Sequence, residues 1–95
     1  MTNGCHTPGE LEALRREMDG LNGELLALFE ARMELSCRIA RVKAQNGLPV
    51  RDPAREEAVL REIEALCKPE LRDPARRFFS LLMELSRERQ RNALS

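Results

Sequence analysis

Residues 11–42, LEALRREMDGLNGELLALFEARMELSCRIARV, decide the fold. Leu11, Leu14, Met18, Leu21, Leu25, Leu28, Leu35, Ile39 and Val42 recur at alternating steps of three and four, with Arg32 filling the one polar place in the series. Spacing of this kind, held without a slip, is the heptad seam of a long helix. Asn46-Gly47 supplies a C-terminal stop, and Pro49 lies just beyond it. Asp19-Gly20 and Asn22-Gly23 are turn-prone pairs, and each glycine costs a helix about 1 kcal/mol relative to alanine. The seam keeps its register across both, so one continuous helix is predicted.

Outward from this stretch, two shorter helices follow. Asp52-Pro53 reads as an N-cap followed by proline at the first helical position, with Val59, Leu60, Ile63 and Leu66 as the apolar face. Asp73-Pro74 repeats the grammar, and Phe78, Phe79, Leu82 and Leu85 form the face to be buried. Arg51-Asp52-Pro53-Ala54-Arg55 recurs as Arg72-Asp73-Pro74-Ala75-Arg76. No longer repeat accompanies it, so two helix starts built alike explain it better than a duplicated binding motif. Nothing reads as a strand. The expected fold is all-α: a polar, flexible tail over 1–8, then a single domain over 9–95 of three helices, the first very long. A helix from Leu11 to Asn46 is roughly 54 Å long, whereas a compact domain of this size is about 30 Å across. The economical way to cover the seam is an intertwined homodimer with two long helices packed along each other.

Composition narrows the function. The 95 residues hold 16 Lys+Arg against 16 Asp+Glu, and the balance holds in both halves. A nucleic-acid binder shows a basic excess or stripe, and a membrane-surface protein a polybasic segment; neither is present. Tyr and Trp are absent, which argues against stacking on bases or sugars. Met1 to Gly9 lacks the basic and apolar regions of a secretory signal. Cys5, Cys37 and Cys67 lie about thirty residues apart and form no zinc or redox spacing, so a cytoplasmic setting is expected. His6 is the only histidine and sits in the tail. Histidine-based nucleophilic catalysis and a histidine metal site therefore have no basis, and no cofactor is expected.

Polar residues in apolar phases are the informative ones. Arg32 in the seam is costly unless paired; taken alone, a register-fixing polar residue of a coiled coil explains it equally well. Lys43 is eleven residues on, which on a helix returns to within about 20° of the same direction, roughly 16 Å further along. By itself Lys43 would be a solvated lysine at a helix end. Glu56 heads the buried face of the second helix, flanked by Asp52 and Arg55. Phe79, Met83, Ser86 and Gln90 form one stripe of the third helix that begins apolar and ends with a hydroxyl and an amide. Arg32, Lys43, Arg55, Glu56, Ser86 and Gln90 together suit a small dianion with a neutral polar centre and a hydroxyl. The set has no obvious nucleophile or base, so it reads as built for binding and electrostatic stabilisation.

These residues resemble the all-helical chorismate mutases, the bacterial class of small intertwined dimers, over about Leu11 to Leu94. The resemblance rests on Leu14-Arg15, Leu25-Leu26-Ala27-Leu28, Glu30-Ala31-Arg32 and Ile39-Ala40-Arg41-Val42-Lys43. Its most specific segment is Pro49 to Glu56, and Ser86 and Gln90 complete it. The family's reaction is the Claisen rearrangement of chorismate to prephenate, on the route to Phe and Tyr. The resemblance implies that Arg32 and the partner subunit's Arg15 bind the two carboxylates. It implies that Lys43 and Gln90 donate to the ether oxygen, and that Glu56 and the Asp52 backbone hold the ring hydroxyl. Arg55 and Ser86 would support the ring carboxylate. Arg15 is 28 residues from Lys43, or about 42 Å along a straight helix. One small substrate cannot touch both on one chain, but antiparallel first helices would bring them together across a dimer. Read without the resemblance, Arg15 is a surface residue beside Glu12 and Asp19.

Two other readings are weighed. An isochorismate-pyruvate lyase resembles this fold and its cation pattern but differs at the segment Asp52 to Glu56. A non-catalytic helical dimerisation module explains the seam but not the inward phases of Arg32, Lys43, Glu56, Ser86 and Gln90. The direction of Arg87, beside Ser86, stays open at this point.

Overall fold

The computed structural model describes residues 8–94. The expected tail, with Cys5 and His6, lies outside the described residues apart from Pro8, which opens the first helix. Among the described residues there are three α-helices and no strand: α1 (Pro8–Gln45), α2 (Pro53–Leu66) and α3 (Arg72–Ala93), with a 3₁₀ turn, Pro69–Leu71, leading into α3. No helix among them is long and apolar enough to cross a membrane. The chain divides into two units, the first ending at Ala31 and the second beginning at Arg32.

Through the first unit α1 runs unbroken over Gly20 and Gly23. A Cβ added at either glycine would meet nothing within 4 Å, so neither serves a close approach within the chain. At 100° per residue both lie roughly opposite the seam. The seam itself is open: Leu11, Leu14, Met18, Leu21, Leu25 and Leu28 are 49–67% exposed.

The second unit starts with the last turns of α1, which carry three faces. Ser36, Cys37 and Ala40 are buried, Ala40 completely. Leu35, Ile39 and Val42, the end of the seam, remain exposed on another side. Arg32 and Lys43 lie between these two faces and are half-buried. The helix stops at a Schellman motif. Gly47 takes φ +66°, its N–H donates to the Ala44 carbonyl at 3.2 Å, and the Leu48 N–H donates to the Lys43 carbonyl at 2.8 Å. Asn46 Nδ2 also donates to the Val42 carbonyl at 2.8 Å. The left-handed turn disfavours a side chain at position 47 by about 1–2 kcal/mol, and it reverses the chain toward α2.

At α2 the expected cap is present. Asp52 Oδ1 accepts the Arg55 N–H at 3.1 Å and Pro53 occupies the first turn. Leu60 is buried and Val59 and Ile63 are half-buried, but Leu66 is 86% exposed. That departs from the expected face: Leu66 is the last residue of the helix, at the edge of the stripe, and the chain turns extended at Cys67.

The start of α3 also departs. The helix begins at Arg72, entered through the 3₁₀ turn, so Asp73 falls inside the first turn and caps nothing. Its carboxylate pairs with Arg77 at 3.2 Å instead, where a negative charge still suits the helix dipole. The two similar pentapeptides thus play different parts. On α3, Leu82, Met83, Ser86 and Gln90 are buried and Phe79 and Leu85 half-buried. Phe78, expected inside, is half exposed and meets Phe79 edge to face with centroids 5.4 Å apart.

Arginines of α3 fasten it to α2. Arg76 reaches Glu57 at 2.8 Å and Glu64 at 3.2 Å. Arg72 Nε donates at 3.0 Å to the Glu64 carbonyl, one of the last-turn oxygens that the helix cannot satisfy itself. The Arg76 hydrogen bond holds the Glu57 carboxyl below its ordinary value of 4.5. A carboxyl depressed in the folded state contributes stability that is complete above its ordinary pKa and lost as the pH falls through the folded value. Thermal unfolding should therefore move to lower temperature on acidification below about pH 4.5, and Glu57→Gln should flatten that part of the profile. Parallel profiles for the two proteins would remove Glu57 from the acid response.

Candidate functional site

A cleft of about 280 Å³ lies in the second unit and is lined by residues of α1, of the loop after it, of α2 and of α3. Its α1 wall is Arg32, Ile39 and Lys43. The loop contributes Val50 and Asp52, α2 adds Arg55, Glu56 and Val59, and α3 closes it with Met83, Ser86, Arg87 and Gln90. Seven of the eight site residues expected from sequence therefore meet here: Arg32, Lys43, Asp52, Arg55, Glu56, Ser86 and Gln90. The eighth, Arg15, belongs to the first unit. It is exposed and pairs with Glu12 at 3.0 Å, one turn away on α1.

The last turns of α1 set the two cations. Arg32 Nη1 donates to Ser86 Oγ at 3.0 Å, across 54 residues of sequence. Lys43 Nζ donates to the Val50 carbonyl at 2.7 Å, which the turn at Gly47 brings back within reach. Both partners are neutral oxygens, so they hold the side chains without cancelling their charge. An ammonium has three donors and a guanidinium five, which leaves most of each free for an anion.

The carboxylates are held differently. Asp52 caps α2, and its backbone carbonyl accepts the Glu56 N–H at 3.0 Å. Glu56 is clasped from α3: Arg87 Nη1 lies 2.7 Å from Oε1 and 2.6 Å from Oε2. Their side chains are only 20% and 23% exposed. Arg87 therefore points into the cleft, which settles the direction that sequence left open. Its phase is one residue from Ser86, about 100° around the helix, so the stripe that marked Ser86 and Gln90 could not mark it.

Ser86 and Gln90 are both buried. The Gln90 Oε1 has no hydrogen-bond partner among the described residues, an arrangement that costs about 1–3 kcal/mol when a polar atom is shielded from water. Met83, Val59 and Ile39 supply the apolar part of the wall. The arrangement is a half-open pocket with four cations and two carboxylates, and the cations outnumber the anions where the polar atoms converge. Among the described residues no histidine or thiol borders it. Such an arrangement can bind a small anion and stabilise negative charge electrostatically.

Comparison with known proteins places the sequence in a family. The family described as chorismate mutase type II matches residues 14–91. A chorismate mutase from Methanocaldococcus jannaschii is 30% identical over 87 residues, covering 90% of this chain and 88% of that protein. The T-protein of Haemophilus influenzae is 47% identical over 57 residues, 58% of this chain but only 15% of that protein. A 4-amino-4-deoxychorismate mutase from Streptomyces venezuelae is 44% identical over 50 residues, and the chain spans about half of it, 48%. With a family match that takes in α2, most of α1 and α3, and every residue of the cleft, the chain belongs to the chorismate mutase type II family.

Proposed function

We propose that this chain converts chorismate to prephenate, and that it does so as a cytoplasmic homodimer in which each active site borrows Arg15 from the partner subunit. The observation that carries the reading is the convergence of Arg32, Lys43, Arg55, Glu56, Ser86 and Gln90 on one cleft, with Arg32 and Lys43 held by neutral oxygens.

The reaction is a pericyclic rearrangement. The ether C–O bond breaks as a C–C bond forms between the ends of the same molecule, and no proton or electron passes to the protein. The site need only hold the folded conformer and stabilise the charge that gathers on the ether oxygen. Arg32, fixed by Ser86, takes one carboxylate. Lys43, fixed by Val50, is placed for the ether oxygen, and Gln90 for the same atom from the opposite wall through its amide N–H. Glu56 and the Asp52 backbone take the ring hydroxyl, while Arg55 supports the ring carboxylate side.

The exposed seam supports the dimer. Leucines and a methionine 49–67% exposed from Leu11 to Leu28 make a stripe that a second α1 would cover. Gly20 and Gly23 are on the opposite side and would not obstruct it. In antiparallel order, the partner's Arg15 comes to the Lys43 end of the helix.

Loss of chorismate absorbance on adding purified protein tests the activity, with isochorismate run in parallel. Turnover of isochorismate alone would replace the reading with the lyase, and turnover of neither would leave a dimerisation module. Lys43→Ala should lower kcat by at least ~10², the range for losing a preorganised donor; near-normal turnover would remove Lys43 from the ether oxygen. Gln90→Glu should shift the activity toward acid pH, since a carboxyl donates only when protonated; an unchanged pH profile would exclude that role for Gln90. For the shared site, Arg15→Ala and Lys43→Ala chains should each be nearly inactive and should complement when mixed. Random exchange gives about half heterodimers with one intact site in two, hence about a quarter of wild-type activity. No recovery after subunit exchange would place Arg15 outside the site.

A further inference from the structure

The ion pair between Arg87 and Glu56 is not needed to bind a dianion, and it offsets the charge of one cleft carboxylate. Among the described residues it is the one ion pair formed by a cation of the cleft. A single guanidinium nitrogen sits between both carboxylate oxygens, at 2.7 and 2.6 Å. Each oxygen keeps a lone pair for a donor arriving from the cleft. The carboxylate is thus fixed in direction, and its charge is opposed from the next residue position after Ser86. Arg32 and Lys43, by contrast, are held by a hydroxyl and a carbonyl that leave their charge intact.

We propose that Arg87 is a positioning residue that sets substrate specificity: by clasping Glu56 it makes that end of the cleft an acceptor for a neutral hydroxyl and a poor site for a cation. The inference rests on the mutase reading and deepens it. A hydroxyl needs only an oriented oxygen, and one held by Arg87 supplies it. An amine in the same place is protonated in neutral water. It would be drawn to the Glu56 carboxylate but repelled by the Arg87 guanidinium that the same carboxylate holds, so its Coulomb advantage is reduced. Discrimination of this kind comes from a repulsive element as much as from an attractive one. Without Arg87 the carboxylate would be a bare anion on a partly shielded wall, and the balance would move toward the cation.

The test compares chorismate with its analogue carrying an amine for the ring hydroxyl, on wild type, Arg87→Met and Arg87→Lys. Each is read as the amine-to-hydroxyl ratio of kcat/KM within one preparation, which is insensitive to how much of the protein is folded. Arg87→Met should raise the ratio by about tenfold or more. Arg87→Lys keeps the charge and should stay within about threefold of wild type. Adding Glu56→Gln to Arg87→Met should abolish the gain, because the carboxylate that attracts the amine is gone. For a variant too slow to assay, the ratio of dissociation constants of the two compounds, by calorimetry, reads the same quantity. An Arg87→Met ratio equal to wild type, or an Arg87→Lys ratio that moves as far as Arg87→Met, overturns the role of Arg87. A wild type that turns over neither compound overturns instead the mutase reading beneath it.

Discussion

The cleft depends on the last turns of α1 having to satisfy three demands at once. One side must bury in the second unit, and it does so with Ser36, Cys37 and Ala40. Another carries Leu35, Ile39 and Val42, the tail of an apolar stripe that continues over the whole helix. Arg32 and Lys43 occupy the strip between. Their spacing of eleven residues keeps them in phase, so neither can be moved onto the buried or the apolar side without breaking the other two patterns. Small side chains on the buried side make this geometry possible. Larger ones would push α1 away and stretch the 3.0 Å bond from Arg32 to Ser86.

The way charge is compensated then separates what holds the fold from what remains for a ligand. Outside the cleft, Arg76 spends its guanidinium on Glu57 and Glu64, and Arg72 on a helix-end carbonyl. Those groups join α2 to α3 and leave little field behind. Inside the cleft, Arg32 and Lys43 are positioned by dipoles that fix direction but not charge. A donor already oriented toward developing negative charge needs no reorganisation when that charge appears, which is the main source of electrostatic catalysis. A chain with a net charge of zero can therefore still hold a locally positive pocket, because Asp52 caps α2, Glu56 is clasped and no other acidic group lines the cleft among the described residues.

Much of this was legible in the sequence because the signals were local. The seam located α1, Asn46-Gly47 its end, and Asp52-Pro53 the cap of α2, since each is a short-range preference that packing did not override. The stripe from Phe79 to Gln90 correctly anticipated that Ser86 and Gln90 face inward. Three features lay out of reach. The buried side of α1 is made of serine, cysteine and alanine, which carry too little hydrophobicity to show as a periodic face. The exposure of Leu66 and Phe78 is decided by where a helix ends and by what lies alongside it. The lead-in to α3 hides in Pro69–Leu71, whose 3₁₀ turn starts the helix one residue before the apparent cap at Asp73.

Arg87 shows how a residue can escape pattern reading and still line the cleft. Its helical phase places its Cβ off the inward stripe, and a charged side chain there reads as a solvated one. The side chain is long enough to cross that angle and reach α2. It is stable there because Glu56 offers an oppositely charged, partly shielded partner; either group alone would carry an unpaired charge in a low-dielectric wall. The pair therefore exists only once α2 and α3 are packed, a packing to which the Arg76 and Arg72 contacts also contribute. The ion pair at the Glu56 end of the cleft is in this sense a consequence of helix packing, whereas the placing of the cations at the Arg32 and Lys43 end is a consequence of the seam and the turn that closes α1.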